Sequence, residues 1–370
     1  MQQAIAVLNA GSSSLKFAVY RLARGAAPER VLRGAIEGVS GADAHARALA
    51  EFERRVATEA PALQLVAAGH RVVHGGARFT APALVTDAVL AELRALVPLA
   101  PRHQPHAIAA IESLRAARPE LAQVACFDTA FHHTLPELAR RFALPQALYD
   151  AGIRRYGFHG LSLESIVAQL PQQLGERADG RVIVLHLGSG ASATALRGRT
   201  SVATSMGLTP LDGLVMGTRA GSLDPGVLLH LLRDGWNEAR LARLLYDESG
   251  LLGVSGISRD LRALLASEAP AAKLAVDLFL ESIVREVGAQ AALLGGLDAL
   301  VFTGGIGENA AEVRARVCAR FAGLGVALDA EANARGGPCI TREGGAVSGW
   351  VLATDEEGVI ARATAALTRV

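Results

Sequence analysis

An apolar run at residues 5–8 stops at Asn9-Ala10-Gly11-Ser12-Ser13-Ser14, and a second apolar run resumes over 15–20. Short apolar runs broken by a Gly/Ser cluster read as a strand, a turn and a returning strand. The pattern recurs downstream. Residues 182–185 run into His186-Leu187-Gly188-Ser189-Gly190-Ala191-Ser192, and 193–196 return as a strand. Written together, VLNAGSSSLKFAV and VLHLGSGASATAL align without a gap, Gly11 on Gly188 and Ser12 on Ser189. Two such openings, one near the start of each half, predict a duplicated α/β domain.

Further apolar runs at 123–127, 299–302 and 349–353 end in polar or glycine-rich segments. They read as strands of open sheets whose carboxyl ends carry the loops where α/β folds place ligands. The glycine stretch at 304–309 reads as a loop joining one strand to a helix over 310–321. Helical spacing marks 46–58, 88–96 and 271–294, the last interrupted by Asp277, Glu281, Arg285 and Glu286. The segments around Pro98, Pro101 and Pro105 and over 136–152 are the expected crossover between halves.

With 370 residues the chain has room for about two domains. Hydrophobic residues make up 51% and charged residues 20%, the balance of a globular protein. The 37 basic and 36 acidic residues nearly cancel, which removes the electrostatic case for nucleic acid or an anionic membrane as main partner. No apolar run approaches the roughly 18 residues of a membrane helix, and the start has no basic region or cleavage signal of a secretory leader. Three cysteines without a Cys-x-x-Cys spacing argue against a disulfide framework and for a reducing cytoplasm. Lys16 and Lys273 are the only lysines, so one inside a Gly/Ser turn stands out.

Backbone amides and hydroxyls of residues 9–16, with Lys16 beside them, can surround phosphate oxygens. A lone turn of this kind is more often an ordinary hairpin, but its repeat at Gly188 suggests two turns gripping one polyphosphate. Gly304-Gly305-Ile306-Gly307-Glu308-Asn309 allows close backbone approach to an anion. It is neither a dinucleotide fingerprint nor a Walker motif. Arg71 and Arg219 lie among glycines; together with Lys16 they suit a transferring phosphoryl group, whose oxygens need fixed positive charge. Asp128 closes a strand and Glu356 follows the last one, positions from which a carboxylate can hold Mg²⁺. His103 and His159 can donate to a carboxylate or phosphate, although a structural role is the commoner fate of a histidine. Zinc-hydrolase spacing and the Gly-x-Ser-x-Gly elbow are both absent.

These residues fall in motifs that resemble the acetate and propionate kinase family, within the actin, sugar kinase and Hsp70 superfamily. The resemblance covers nearly the whole chain through VLNAGSSSLKF, GHRVVHGG, LAPRHQP, FDTAFHHTLP, YGFHG, HLGSGAS, TSMGLTPLDGLVMGTRAGSLDP, SGLLGVSGISRDLR, VFTGGIGEN and TDEEGVIAR. It implies ATP-dependent phosphorylation of acetate, with propionate as the alternative acceptor, ATP/ADP as co-substrate and Mg²⁺ or Mn²⁺ as metal. By the same resemblance Asn9 and Glu356 hold the metal, and Asp128, His159 and Arg219 are catalytic. Arg71, Val73, His103 and Pro210 bind the acid. Lys16, Ser12 and Ser14, with His186, Leu187, Gly188, Ser189 and Gly190, hold the nucleotide. So do Asp260, Leu261 and Arg262, and Gly305, Ile306, Gly307, Glu308 and Asn309.

Acetate is already ionised at neutral pH, its carboxyl pKa being about 4. The site must therefore bring two anions together rather than remove a proton, and Asp128 reads as a holder of metal or of a cationic partner. The resemblance also implies two ribonuclease-H-like α/β domains with mixed five-stranded sheets and an active-site cleft between them, and a homodimer formed through the second half. The first domain is expected over 1–131 with a closing helix, 357–370, returning to it, and the second over 132–356. Four residues depart from the family pattern: Ser189 and Asp355 replace asparagines, Asp212 a glutamate, and Arg102 the leucine before His103. Arg102 bears on which acid is accepted. An actin- or Hsp70-like ATP switch is the reading from another class; Arg71, His103, Pro210 and Arg219 occurring together favour the kinase.

Overall fold

A computed structural model describes residues 1–11, 13–39 and 43–369. It divides into two compact units, one of Met1–His133, Phe158–Ser165 and Asp355–Val370, the other of Thr134–Gly157 and Ile166–Thr354. The first carries strands β1 (Gln2–Ala10), β2 (Ser14–Arg21), β3 (Glu29–Glu37), β4 (Leu63–Val72), β5 (Ala83–Leu84) and β6 (Ala122–Phe127). The second carries β7 (Arg181–Leu187), β8 (Ala191–Arg197), β9 (Thr200–Thr204), β10 (Ala299–Thr303) and β11 (Ser348–Val351).

The sheets run β3-β2-β1-β4-β6-β5 and β9-β8-β7-β10-β11. In both, the first three strands form an antiparallel meander and the next two join in parallel beside the first. The first sheet thus has the expected five strands plus a two-residue edge strand. β5 pairs with β6 at Ala83 and Leu84, and Val85 N donates to Gln123 O (2.8 Å), which covers an otherwise bare edge. Among the described residues the matching edge of the second sheet carries an isolated Cys339–Trp350 bridge.

β1 is buried on both faces, which is why it reads as an unbroken apolar run. Ala4, Ala6 and Leu8 share one core with Phe17 and Phe52, the latter from the helix Ala44–Glu59. Ile5 and Val7 share the other with Val359, Ile360 and Ala361 of the closing helix Glu356–Thr368.

Several sequence expectations are revised. The hairpin alignment is gapless as text but not in register. Ala10 faces Leu15 in the first hairpin and Leu187 faces Ala191 in the second, so the second turn is one residue shorter. The glycine stretch after β10 is a short helix, Gly304–Asn309, not a loop. Gly304 enters it at φ 78°, and Glu308 Oε1 turns back to accept from Gly304 N (3.0 Å). Of the two proposed crossovers, the proline-rich one lies inside the first unit. It forms the turn Val97–Leu99 and the helix Gln104–Ala117, which packs on β4 and β6 through Ile108 and Ile111. Phe158–Ser165, expected in the second domain, belongs to the first: Leu161 joins the core around Ile360, and Gly160 N donates to Asp128 O (2.7 Å). Among the described residues no helix is long and apolar enough to cross a membrane.

The closing helix presses closely on β4 at Gly69. A Cβ there would stand 2.4 Å from Ile360 Cγ2 and 2.3 Å from Thr364 Oγ1. Gly69→Ala should therefore overpack this face and destabilise the protein by roughly 1–3 kcal/mol. An unchanged urea midpoint would refute the close approach.

Candidate active site

In the first unit the site grows from the carboxyl ends of three neighbouring parallel strands, β1, β4 and β6, which supply Asn9, Arg71 and, one residue past the strand, Asp128. Asp128 N donates to Val72 O (3.0 Å), which carries the β4–β6 pairing one residue further. Its carboxylate is 1% exposed and accepts from Arg71 on both oxygens: Nη2 to Oδ2 at 2.7 Å, Nε to Oδ1 at 3.1 Å and to Oδ2 at 3.2 Å. Glu356 Oε2, from the first turn of the closing helix, lies 3.9 Å from Arg71 Nε. Burial alone would weaken the arginine's hold on its proton; Asp128 and Glu356 reverse that and raise its pKa, so the guanidinium stays charged.

Side-chain and backbone bonds tie the surrounding segments to this pair. Gln104, fully buried, accepts from His74 N (3.2 Å) and donates to His74 O (3.1 Å). That pair of hydrogen bonds fixes the segment carrying Val73 to the helix start next to His103. Gly75 N donates to Thr129 Oγ1 (3.0 Å), beside Asp128. His159 adopts a left-handed backbone, φ 62°, just before the Gly160 amide that caps Asp128 O. A Cβ on Gly160 would come within 2.3 Å of that oxygen, so this approach requires glycine. Lys16 faces Asn9 across the hairpin, which puts both side chains on one face. Lys16 is exposed, Ser14 begins β2, and Ser12 lies outside the described residues.

In the second unit, Arg219 Nη1 donates to Pro210 O (3.0 Å) and approaches Met216 Sδ (3.5 Å). Burial lowers its pKa, countered by the Tyr246 and Asp247 charges. Gly217 N donates to Ser189 O (3.3 Å), joining the Arg219 loop to the β7–β8 turn that contains Gly188 and Gly190. His186, next to last in β7, pairs with Ser192, and Leu187 is fully buried, so only its backbone can meet a ligand. Leu261 is likewise core. Asp260 caps the helix Leu261–Leu265 through Arg262 N (2.9 Å) and pairs with the Arg262 guanidinium (2.7 Å). That pairing lowers the Asp260 pKa and raises the Arg262 pKa. In the short helix Gly304–Asn309, Gly305, Ile306 and Asn309 remain accessible while Gly307 is buried. Glu308 Oε1 also accepts from Thr354 N (3.3 Å), so that carboxylate oxygen serves the fold.

One contributor escaped the sequence reading although its motif was visible. Gly250, at φ 63°, lies under the Arg219 loop: a Cβ would stand 2.2 Å from Met216 O and 2.7 Å from Arg219 O. Only a backbone contact marks it, and spacing alone carries no sign of such a contact. Arg102, expected to bear on the acid pocket, is exposed at the turn before Gln104–Ala117.

The structure thus brings Arg71, Asp128 and Glu356 into direct contact and ties Val73, His103 and His159 to them, while Arg219, Pro210 and Ser189 converge in the other unit. The sequence profile described as the acetokinase family matches residues 39–362. The chain belongs to the acetokinase family. It is 52% identical to an acetate kinase of Rhodopseudomonas palustris (strain TIE-1), with 98% of each chain covered. It is 47% identical to one of Methylocella silvestris, covering 99% of this chain and 98% of the relative. A Porphyromonas gingivalis acetate kinase structure superposes with a TM-score of 0.88 at 34% identity, covering 99% of this chain and all of that one. A propionate kinase from Francisella tularensis gives 0.86 at 36% identity, covering 98% and 99%. The ribonuclease-H-like α/β architecture expected for an acetokinase fits the repeated strand order of the two sheets.

Two buried histidines give the stability of this acetokinase fold a pH signature. His70 on β4 and His132, whose Nε2 donates to Phe158 O (2.9 Å), are pushed by burial from 6.5 down to about 4. Both are neutral in the folded state, so the unfolded chain binds the extra protons. Their contribution is complete above pH 6.5 and lost as pH falls through about 4. The urea midpoint should drop between about pH 7 and about pH 4.5, and His132→Gln should flatten that slope; an unchanged slope refutes its burial as a neutral ring.

Proposed function

We propose that this chain transfers the γ-phosphoryl group of ATP to acetate, reversibly, giving acetyl phosphate and ADP. The observation that carries the reading is the Arg71 guanidinium held charged at a buried Asp128 with Glu356 beside it, in a member of the acetokinase family. A carboxylate oxygen of acetate forms the new bond to phosphorus as the bond to the bridging oxygen of ADP breaks. No proton need move, because acceptor and leaving group both react as anions. The chain's work is therefore to hold two anions in line and cancel their repulsion.

In this reading Arg71 binds the acetate carboxylate or the transferred phosphoryl group, and Asp128 aims it. That assigns Asp128 the holding of a cation rather than general-base chemistry. His159 and Arg219 stabilise the charge on the equatorial oxygens, and Val73, His103 and Pro210 border the acid. Lys16, Ser12 and Ser14, the turn at Gly188, and residues 305–309 hold the nucleotide; Leu187 and Leu261 contribute through their backbones alone.

The donor chemistry of Asn9 and Glu356 suits magnesium. Both offer hard oxygens, and among the described residues neither side-chain oxygen accepts a hydrogen bond, Glu356 having only the long contact to Arg71. Bound there with the nucleotide, the ion would neutralise and orient phosphate oxygens. A homodimer is supported by apolar side chains exposed on the second unit, among them Leu223, Val227, Leu229, Leu232 and Ile257. A cytoplasmic location fits ATP as co-substrate.

ADP release by the purified protein should depend on acetate, and kcat/KM should be highest for acetate, then propionate, then butyrate. Acetate-independent release would favour an ATP-driven switch, and no release a nucleotide binder without turnover. Arg219→Ala should lower turnover on the order of 10³-fold and leave ATP binding nearly intact. Parallel loss of both would contradict its assignment to the transition state.

A further inference from the structure

In the second unit, behind the short helix Gly304–Asn309, lies an arginine that the reaction described above does not use. Arg314, on the helix Ala311–Arg320, is 1% exposed and is among the largest fully buried side chains of the described residues. Among those residues no carboxylate pairs with it. Oxygens of the backbone and of one amide answer its charge. Nη1 donates to Gly307 O and to Glu308 O, both at 2.9 Å. Nε donates to Asn333 Oδ1 at 2.8 Å, and Nη2 to Asn333 O at 2.7 Å. Asn333, itself 4% exposed, is anchored in turn, its Nδ2 donating to Ala311 O (2.9 Å).

A buried cation without a counter-ion is expensive, and burial does lower the Arg314 pKa. An apolar side chain of similar volume would fill the space at less cost. What the guanidinium provides instead is a rigid planar fork. One prong fixes two consecutive carbonyls at the end of the short helix, where helical carbonyls lack partners; the other prong fixes Asn333. Accessible Gly305, Ile306 and Asn309 then stand in one set geometry, although the helix is too short to hold itself.

We infer that Arg314, clamped by Asn333, is a positioning residue that presets the 305–309 segment for the nucleotide. The inference rests on the assignment of that segment to ATP made above. Arg314 touches no reactant; it sets how much ordering nucleotide binding must still impose on the segment.

The test compares Arg314→Lys, which keeps the charge without the fork, and Asn333→Ala, which removes the side-chain half of the anchor, with the unaltered enzyme. Circular dichroism and the thermal midpoint first establish that each variant is folded. Both should raise the KM for ATP and the Kd for ADP by about tenfold, while the KM for acetate stays within about twofold. Asn333→Asp, which keeps both acceptors for the guanidinium, should stay closer than Asn333→Ala to the unaltered nucleotide affinity. Should Arg314→Lys fail to fold, the two Asn333 variants decide the matter. Unchanged ADP affinity in a folded Arg314→Lys or Asn333→Ala, or an equal rise in both KM values, overturns the inference and leaves the kinase reading intact. If the unaltered protein makes no acetyl phosphate from ATP and acetate, the kinase reading itself fails.

Discussion

Placing a guanidinium at the carboxyl ends of parallel strands obliges the protein to hold a positive charge where water is scarce. Arg71 is kept charged by a carboxylate that is nearly inaccessible, and that carboxylate is fixed by the backbone on both sides. Its amide bonds to β4 and its carbonyl accepts from Gly160. Removing one member of such a pair typically costs about 3–5 kcal/mol, because the other is left buried and unanswered. The constraint spreads from there. It calls for a glycine at 160 and gives His159 its left-handed turn, and it draws residues 158–165 to the first unit although the chain on either side belongs to the second.

Duplication makes the arrangement economical. Each sheet presents the carboxyl ends of the same three parallel strands, and each opens with a hairpin whose turn is rich in Gly or Ser. The two copies have diverged in what they do with those ends. In the first, β4 and β6 end in charge and hydrogen-bonded side chains. In the second, β7 and β10 run directly into glycines, at the turn containing Gly188 and at the short helix after β10, and the first glycine amide of each is bonded locally, Gly188 N to Gly190 O and Gly304 N to Glu308 Oε1. Under the proposed function, this difference would divide the work into gripping small anions through side chains in the first copy and holding phosphates near glycine backbone in the second.

Much of this was legible in the sequence because strands buried on both faces leave continuous apolar runs, and their ends are punctuated by glycine, serine and charge. β1, β6, β7 and β10 could all be located in this way. What sequence could not carry were relations that depend on register or on backbone proximity. The one-residue difference between the hairpins leaves no gap in the text. Residues 304–309 look like a loop because glycine disfavours helix, and only the return of Glu308 to the Gly304 amide shows otherwise. Gly250 and Arg314 gave no local signal: one matters for what it lacks, the other for carbonyls that its own position does not announce. Asp260 and Arg262 show a related limit, since the motif's adjacency does not announce that the two form an exposed pair capping their own helix.

The three arginines differ most informatively in how their charge is answered. Arg71 has two carboxylates near it, so its field is largely cancelled and its value lies in direction. Arg314 is answered by carbonyl dipoles alone, which occupy its donors without cancelling its charge. Arg219 donates to one carbonyl and approaches one thioether, with the Tyr246 and Asp247 charges acting on it from further off. Burial disfavours its charge, and nothing nearby fully restores it. Such a group gains most when negative charge arrives. In phosphoryl transfer that charge spreads over the equatorial oxygens as the bonds exchange, and this is the physical ground for proposing Arg219 as the cation that meets it. A fully paired arginine there would have had to break its own ion pair first.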